Sequence, residues 1–168
     1  LKNSQVSLKI RDVSPTPSSA IITTDFKKEF KSMKYDCFDE DLEAKVTAQI
    51  TLNFSGNLFL YPAQMNAPSI DSILRSSDGQ YYFFQITVSE SHPVKRKDIV
   101  NLCRSLNILP KDVYLVFIVT ENNFKYFQTQ PIYVESSTRS ATAVVKGQKV
   151  AYVENLDEMA RFFSTGFP

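Results

Sequence analysis

Two apolar runs constrain this chain more than any other feature. Tyr81-Tyr82-Phe83-Phe84-Gln85-Ile86-Thr87-Val88 and Val113-Tyr114-Leu115-Val116-Phe117-Ile118-Val119 are aromatic and β-branched almost throughout. That is the pattern of strands covered on both faces. Between them, His92-Pro93 opens a helical pattern with Ile99, Leu102, Cys103 and Leu106 at i, i+3, i+4 and i+7. Pro93 suits its first turn and Pro110 marks its stop. Upstream, residues 70–74 form a short strand, and Ser76-Ser77-Asp78-Gly79 supplies a turn with glycine available for positive φ. The order is strand, strand, strand, helix, strand, with a helix in front. This predicts an α/β domain with a central mixed β-sheet flanked by helices.

The chain has 168 residues, enough for one domain that buries about two thirds of its unfolded surface. Lys+Arg 19 against Asp+Glu 18 leaves +1, so a nucleic-acid site must be a local patch rather than a property of bulk charge. No run is long and apolar enough for a membrane span. Cys37 and Cys103 are too few for a disulfide scaffold, and with one His they cannot build a zinc site alone. Scarce cysteine is compatible with a reducing compartment, and Cys103 belongs to the apolar face of its helix. The chain opens at Leu1 with no Met and no signal-like block, and reads as a piece of something longer.

Residues 1–24 read as an N-terminal strand at Val6-Ser7-Leu8-Lys9-Ile10, an edge strand or ordered tail, followed by a Pro/Ser-rich linker at 14–19. Residues 25–168 read as a single domain. Thr24 and Asp25 cap a predicted helix carrying Phe26, Phe30 and Met33, with Lys27, Lys28, Lys31 and Lys34 as a solvated face or a phosphate-contacting stripe. An acidic cluster follows, from Asp36 to Glu43, which starts a second short helix or neutralises the lysines. Alternation of Val46, Ala48, Ile50, Leu52 and Phe54 predicts a strand, paired through Ser55-Gly56-Asn57 with residues 58–61 as a hairpin. Residues 131–134 form a strand. Residues 143–145 and 150–153 form a hairpin about Lys146-Gly147-Gln148, and a last helix carries Met159, Phe162 and Phe163.

Alternation along 81–88 puts Phe83, Gln85 and Thr87 on one face. Two polar side chains on so apolar a strand need partners or cost about 1–3 kcal/mol each. If the loop between the strands has an odd number of residues, Asp71 pairs directly opposite Gln85 and shares its face; a two-residue loop would turn it away. Asp71 can equally serve as a strand-end cap for backbone N–H groups, and Gln85 and Thr87 as a polar pair that fixes register.

An Asp at the start of a hairpin, a polar-x-polar pair on the next strand, then a helix and a buried strand resemble the PD-(D/E)XK nuclease superfamily. More narrowly, Asn66-Ala67-Pro68-Ser69-Ile70-Asp71 with Phe84-Gln85-Ile86-Thr87-Val88 and the trailing His92-Pro93 resembles the nuclease-like domain of Crinkler and RHS-type effector proteins. The resemblance covers residues 58–119. It implies a restriction-endonuclease-like core and a virulence effector that is secreted and acts in a host cell, in its nucleus. Its implied partner is DNA and its implied cofactor Mg²⁺, held by Asp71 and Gln85.

The family uses two acids and a Lys. Here Asp71 matches the first acid, Gln85 stands at the second, and Thr87 at the Lys. Gln is a weaker Mg²⁺ ligand than a carboxylate, and Thr cannot stabilise negative charge as an ammonium can. Lys95, Arg96 or Lys97 at the next helix could supply the cation, with Lys95 the candidate catalytic residue and all three candidate DNA contacts. Glu29, Glu40 or Glu43 could supply a second carboxylate. His92 is a helix-entry residue or a general base. Three readings follow: an active Mg²⁺-dependent nuclease, a lapsed one that binds nucleic acid or a host protein, or an oligomerisation domain using exposed Phe124, Tyr126 and Phe127.

Overall fold

A computed structural model describes residues 6–13, 22–26, 30–35, 41–51, 56–62, 69–134, 137–140 and 144–153. In chain order these form β1 (Val6–Asp12), β2 (Ile22–Phe26), β3 (Phe30–Tyr35), α1 (Leu42–Thr51), β4 (Asn57–Pro62), β5 (Ser72–Arg75) and β6 (Tyr81–Ile86). Then come β7 (Val94–Lys95), α2 (Arg96–Ser105), a 3-10 turn (Pro110–Asp112), β8 (Val113–Ile118), α3 (Glu121–Phe124), β9 (Ile132–Val134), β10 (Ser137–Ser140) and β11 (Gly147–Val153). The fold is α/β with a mixed central sheet of eight strands, ordered β2-β1-β11-β8-β6-β5-β4-β3, and a small sheet β10-β9-β7 beside it. Among the described residues no helix is long and apolar enough to cross a membrane.

The strand–strand–strand–helix–strand order holds. β4, β5 and β6 are antiparallel neighbours, and β8 lies parallel to β6 after α2. Side-chain alternation sorts the core onto two faces. Ile73, Phe83, Leu115, Phe117 and Val150 pack against Leu42 and Val46 of α1 and Ile99, Leu102 and Cys103 of α2. Leu74, Phe84, Val116, Ile118 and Ala151 share the other face with Leu8 and Phe59. Burial pushes the Cys103 thiol up to about 12, as befits a core residue.

Several local expectations fail. The helix over 25–34 is absent: Ile22–Phe26 and Phe30–Tyr35 are strands, pairing with β1 and β4. Its spacing of four and three mimicked a helix, but sheet partners on two different strands override so weak a pattern. The N-terminal strand is not an edge, for β1 runs between β2 and β11. Residues 42–51 are a helix, not the first arm of a hairpin. Among its described side chains Leu42 and Val46, at i, i+4 spacing, are buried, whereas Ala48 of the presumed alternation is exposed.

The hairpin about Lys146-Gly147-Gln148 is likewise one strand, β11, parallel to β8 and antiparallel to β1. Gly147 marks close packing: a Cβ there would meet the Tyr114 ring at 3.3 Å. The helix after His92-Pro93 starts only at Arg96, because Val94 and Lys95 first pair with Ile132 and Tyr133. The linker at 14–19, the acidic residues 36–40 and the last helix lie outside the described residues.

Candidate functional site

The turn between β5 and β6 decides what faces Asp71. Arg75 pairs with Tyr81, so the loop is the five residues 76–80, an odd number. Ser76 N–H donates to Gln80 O, Gly79 N–H donates to Ser76 O, and Gly79 takes φ 87, the left-handed conformation glycine adopts without strain. Asn57 Oδ1 accepts from Ser77 N–H at 3.1 Å and anchors the turn to β4. The last rung of that ladder is Ser72 opposite Phe84; Asp71 lies just before it, bonded to the backbone of Phe84 and Ile86, and so flanks Gln85. By alternation Gln85 lies on the face of Phe83, which also carries α1 and α2.

Asp71 is partly a strand-end cap. Its N–H donates to Phe84 O at 2.8 Å, and its Oδ2 accepts from Ile86 N–H at 2.6 Å. Burial raises its carboxyl above the ordinary range, opposed by the Ile86 N–H and the nearby His92. Gln85, only 6% exposed, pairs with Phe117 of β8, and its Oε1 has no hydrogen-bond partner. A buried orphan acceptor costs about 1–3 kcal/mol. The simple register-pair reading therefore leaves Gln85 unexplained. Thr87 is buried too, but its Oγ1 accepts from Ser89 N–H at 3.0 Å, so the hydroxyl closes the turn after β6.

The surrounding groups divide by which end of the sheet they occupy. Ser69 Oγ donates to Asp98 Oδ2 at 2.5 Å, tying the first turn of α2 to the segment that enters Asp71. Ser69 holds φ 58, a strain of about 1–3 kcal/mol for a residue with a Cβ. Lys95, Arg96 and Lys97 are exposed at this same helix start, where Asp98 offsets their conflict with the macrodipole. Glu43 belongs to the far end: its charge acts on Tyr81, four residues, or roughly 13 Å, from Gln85 along β6. Glu29 and Glu40 lie outside the described residues. Among the described residues no group of three or more His, Cys, Asp or Glu could hold a metal.

The loop after β6 is fixed by a side chain that sequence reasoning passed over. Gln130 is 4% exposed; its Oε1 accepts from His92 N–H at 2.6 Å, and its Nε2 donates to Glu90 O and Gln128 O at 3.3 and 2.8 Å. Its backbone N–H and carbonyl are both bound by the Gln148 side chain, each at 2.8 Å. Nothing in Gln128-Thr129-Gln130-Pro131 signals this burial. The expected aromatic patch dissolves, because Phe124 and Phe127 are core residues and of the three only Tyr126, at 74%, is exposed.

Comparison of the chain with protein-family models, with curated proteins and with solved structures finds no match.

The raised Asp71 carboxyl gives a sign-definite prediction. The folded state holds this proton more tightly than the unfolded chain, whose carboxyl titrates near 3.8. Stability from this group is therefore full below that value and lost as pH rises through the raised folded value. Asp71→Asn keeps an acceptor for Ile86 N–H and removes the titration. Its melting temperature relative to wild type should rise between pH 4 and pH 7. Asp71→Ala also loses the acceptor and should fall below Asp71→Asn by about 1 kcal/mol in urea unfolding.

Proposed function

We propose that this chain is a DNA-binding domain on a nuclease-type core of the PD-(D/E)XK kind, one that keeps the site's layout but not its catalytic set. The observation that carries the reading is Asp71, just before β5, bonded on either side of the buried Gln85, to Phe84 O and to Ile86 N–H. It is so placed within the order β4, β5, β6, β7, α2, β8, which spans the residues 58–119 on which the resemblance rests. The Crinkler-like phrase at 84–88 supports a secreted effector working on DNA in a host nucleus.

The residues present fit a weakly held divalent cation. Gln85 offers a buried carbonyl oxygen without a partner, and Asp71 a half-buried carboxylate beside it. These two would hold Mg²⁺, which supplies polarisation of a phosphodiester and a more acidic bound water. The rest of a hydrolytic set is thin. Thr87 spends its hydroxyl on Ser89, and the exposed Lys95, Arg96 and Lys97 at the start of α2 suit phosphate contact. DNA held by those cations would lie across the end of the sheet where Asp71 sits.

Two assays test this. Duplex DNA should bind with strong salt dependence, and replacing Lys95, Arg96 and Lys97 with Gln should weaken it about tenfold or more and lower the log–log salt slope by about 2–3. Supercoiled plasmid should stay intact with Mg²⁺ or Mn²⁺. No binding at low salt would sink the DNA reading. Metal-dependent nicking that Asp71→Ala abolishes would overturn the lapse of catalysis.

A further inference from the structure

A second cluster lies on the opposite face of the sheet and toward the other end of its central strands. Tyr82 and Tyr114 are partners in the β6–β8 ladder, and their rings stack at 5.6 Å with 17° between planes. Both are half-buried on the face of Phe84 and Val116, away from Gln85. Beyond Tyr114, β11 presents Gly147, whose missing side chain leaves room for the ring. Two ammonium groups converge on that ring: Lys146 Nζ lies 4.9 Å and Lys149 Nζ 4.6 Å from its centroid. Lys146 donates to a neutral acceptor, Gln80 Oε1, at 2.7 Å. Lys149 pairs at 2.5 Å with Asp12, whose side chain is 69% exposed. Among the described residues, the carboxylate paired with these two ammonium groups is that of Asp12, on Lys149. Asp78 is the acid on the Tyr82 side, accepting from Ser76 Oγ and Gln80 N–H.

Like charges gathered over one ring repel unless an anion comes between them, and a surface ion pair such as Lys149–Asp12 is readily exchanged. Paired aromatic rings flanked by ammonium groups are what a flexible polyanion with stackable bases requires. Free phosphate would use the lysines and leave the tyrosines without a role, while a duplex hides its bases from them. We propose that Tyr82, Tyr114, Lys146 and Lys149 form a binding surface for single-stranded nucleic acid. The tyrosines meet bases and the two ammonium groups meet backbone phosphates. The proposal extends the nucleic-acid reading to a second face and is tested separately from it.

The test is fluorescence anisotropy of a labelled oligothymidylate, titrated with the whole chain across a salt series. Lys146→Gln/Lys149→Gln should weaken binding about tenfold or more and lower the log–log salt slope by about 1.4, the value for two contacts to a single strand. Lys146→Arg/Lys149→Arg should retain it, which separates charge from folding. Tyr82→Leu should weaken binding several-fold at unchanged slope. With no tryptophan among the chain's emitters, the part of the tyrosine quenching that Tyr82→Leu removes reports stacking at this surface. Wild-type binding by the Gln pair, with loss in the Lys95/Arg96/Lys97 variant, would overturn this surface and leave the DNA reading intact. An undiminished Tyr82→Leu with no quenching would reduce the cluster to a phosphate contact and overturn the proposal. No binding of oligothymidylate by wild type would overturn this surface, and the duplex reading would stand or fall on its own assay.

Discussion

Phe117→Ala is expected to lower the unfolding free energy by about 3–5 kcal/mol, the range for emptying a buried aromatic site. Phe117 is fully buried, its ring lies 5.2 Å from that of Phe127, and it is the ladder neighbour of Gln85. Its surroundings cannot collapse easily, since strands run on both sides and Phe127 is held through its own carbonyl by Arg11 Nη2 at 3.0 Å. A domain of this size has about 5–15 kcal/mol in hand, so the variant should still fold but with a large share of that margin gone. Urea unfolding should show a lower midpoint at unchanged slope. A loss below about 1.5 kcal/mol would mean that the wall beside Gln85 is far looser than its packing indicates.

Gln130→Leu should cost about 2–3 kcal/mol, although the two side chains are similar in size. It strips an acceptor from His92 N–H and a donor from Glu90 O while leaving both Gln148 bonds to the backbone of residue 130 in place. The damage should therefore be local. Amide exchange at His92 should quicken markedly, and amides of β6 and β8 should slow or quicken only with global stability. Since His92 bears on Asp71, the same variant should also alter the Asp71 titration seen by NMR. Unchanged exchange at His92 would show that the loop is fixed by something else.

The legible part of this chain was the part where side-chain period and burial agree. The order from β4 to β8, the odd loop between β5 and β6, the glycine in the turn and the apolar stripe of α2 all follow from patterns a few residues long. What misled was local resemblance between periods. Val46, Ala48 and Ile50 alternate by chance within a helix whose true signal, Leu42 and Val46, begins earlier. Lys146-Gly147-Gln148 has the composition of a turn, but the glycine answers to a ring three strands of sequence away. At the site, residue types could nominate Asp71, Gln85 and Thr87. They could not reveal that Thr87 spends its hydroxyl on Ser89, or that Gln130 pins the adjoining loop, because those bonds depend on where the backbone passes.

The place of β11 sets the timetable of folding. It fills the gap between β8 and β1, pairing Leu8 with Val153 and Tyr114 with Gly147. As the chain leaves the ribosome, β1 can pair early with β2 but must wait for its second partner until residues 147–153 have been made. Until Gly147 to Val153 arrive, β8 keeps a bare, apolar edge, the kind that pairs indiscriminately with other chains. Closing so long a loop is slow. The nascent protein is thus most exposed to aggregation in the interval between completing β8 and inserting the strand that seals it.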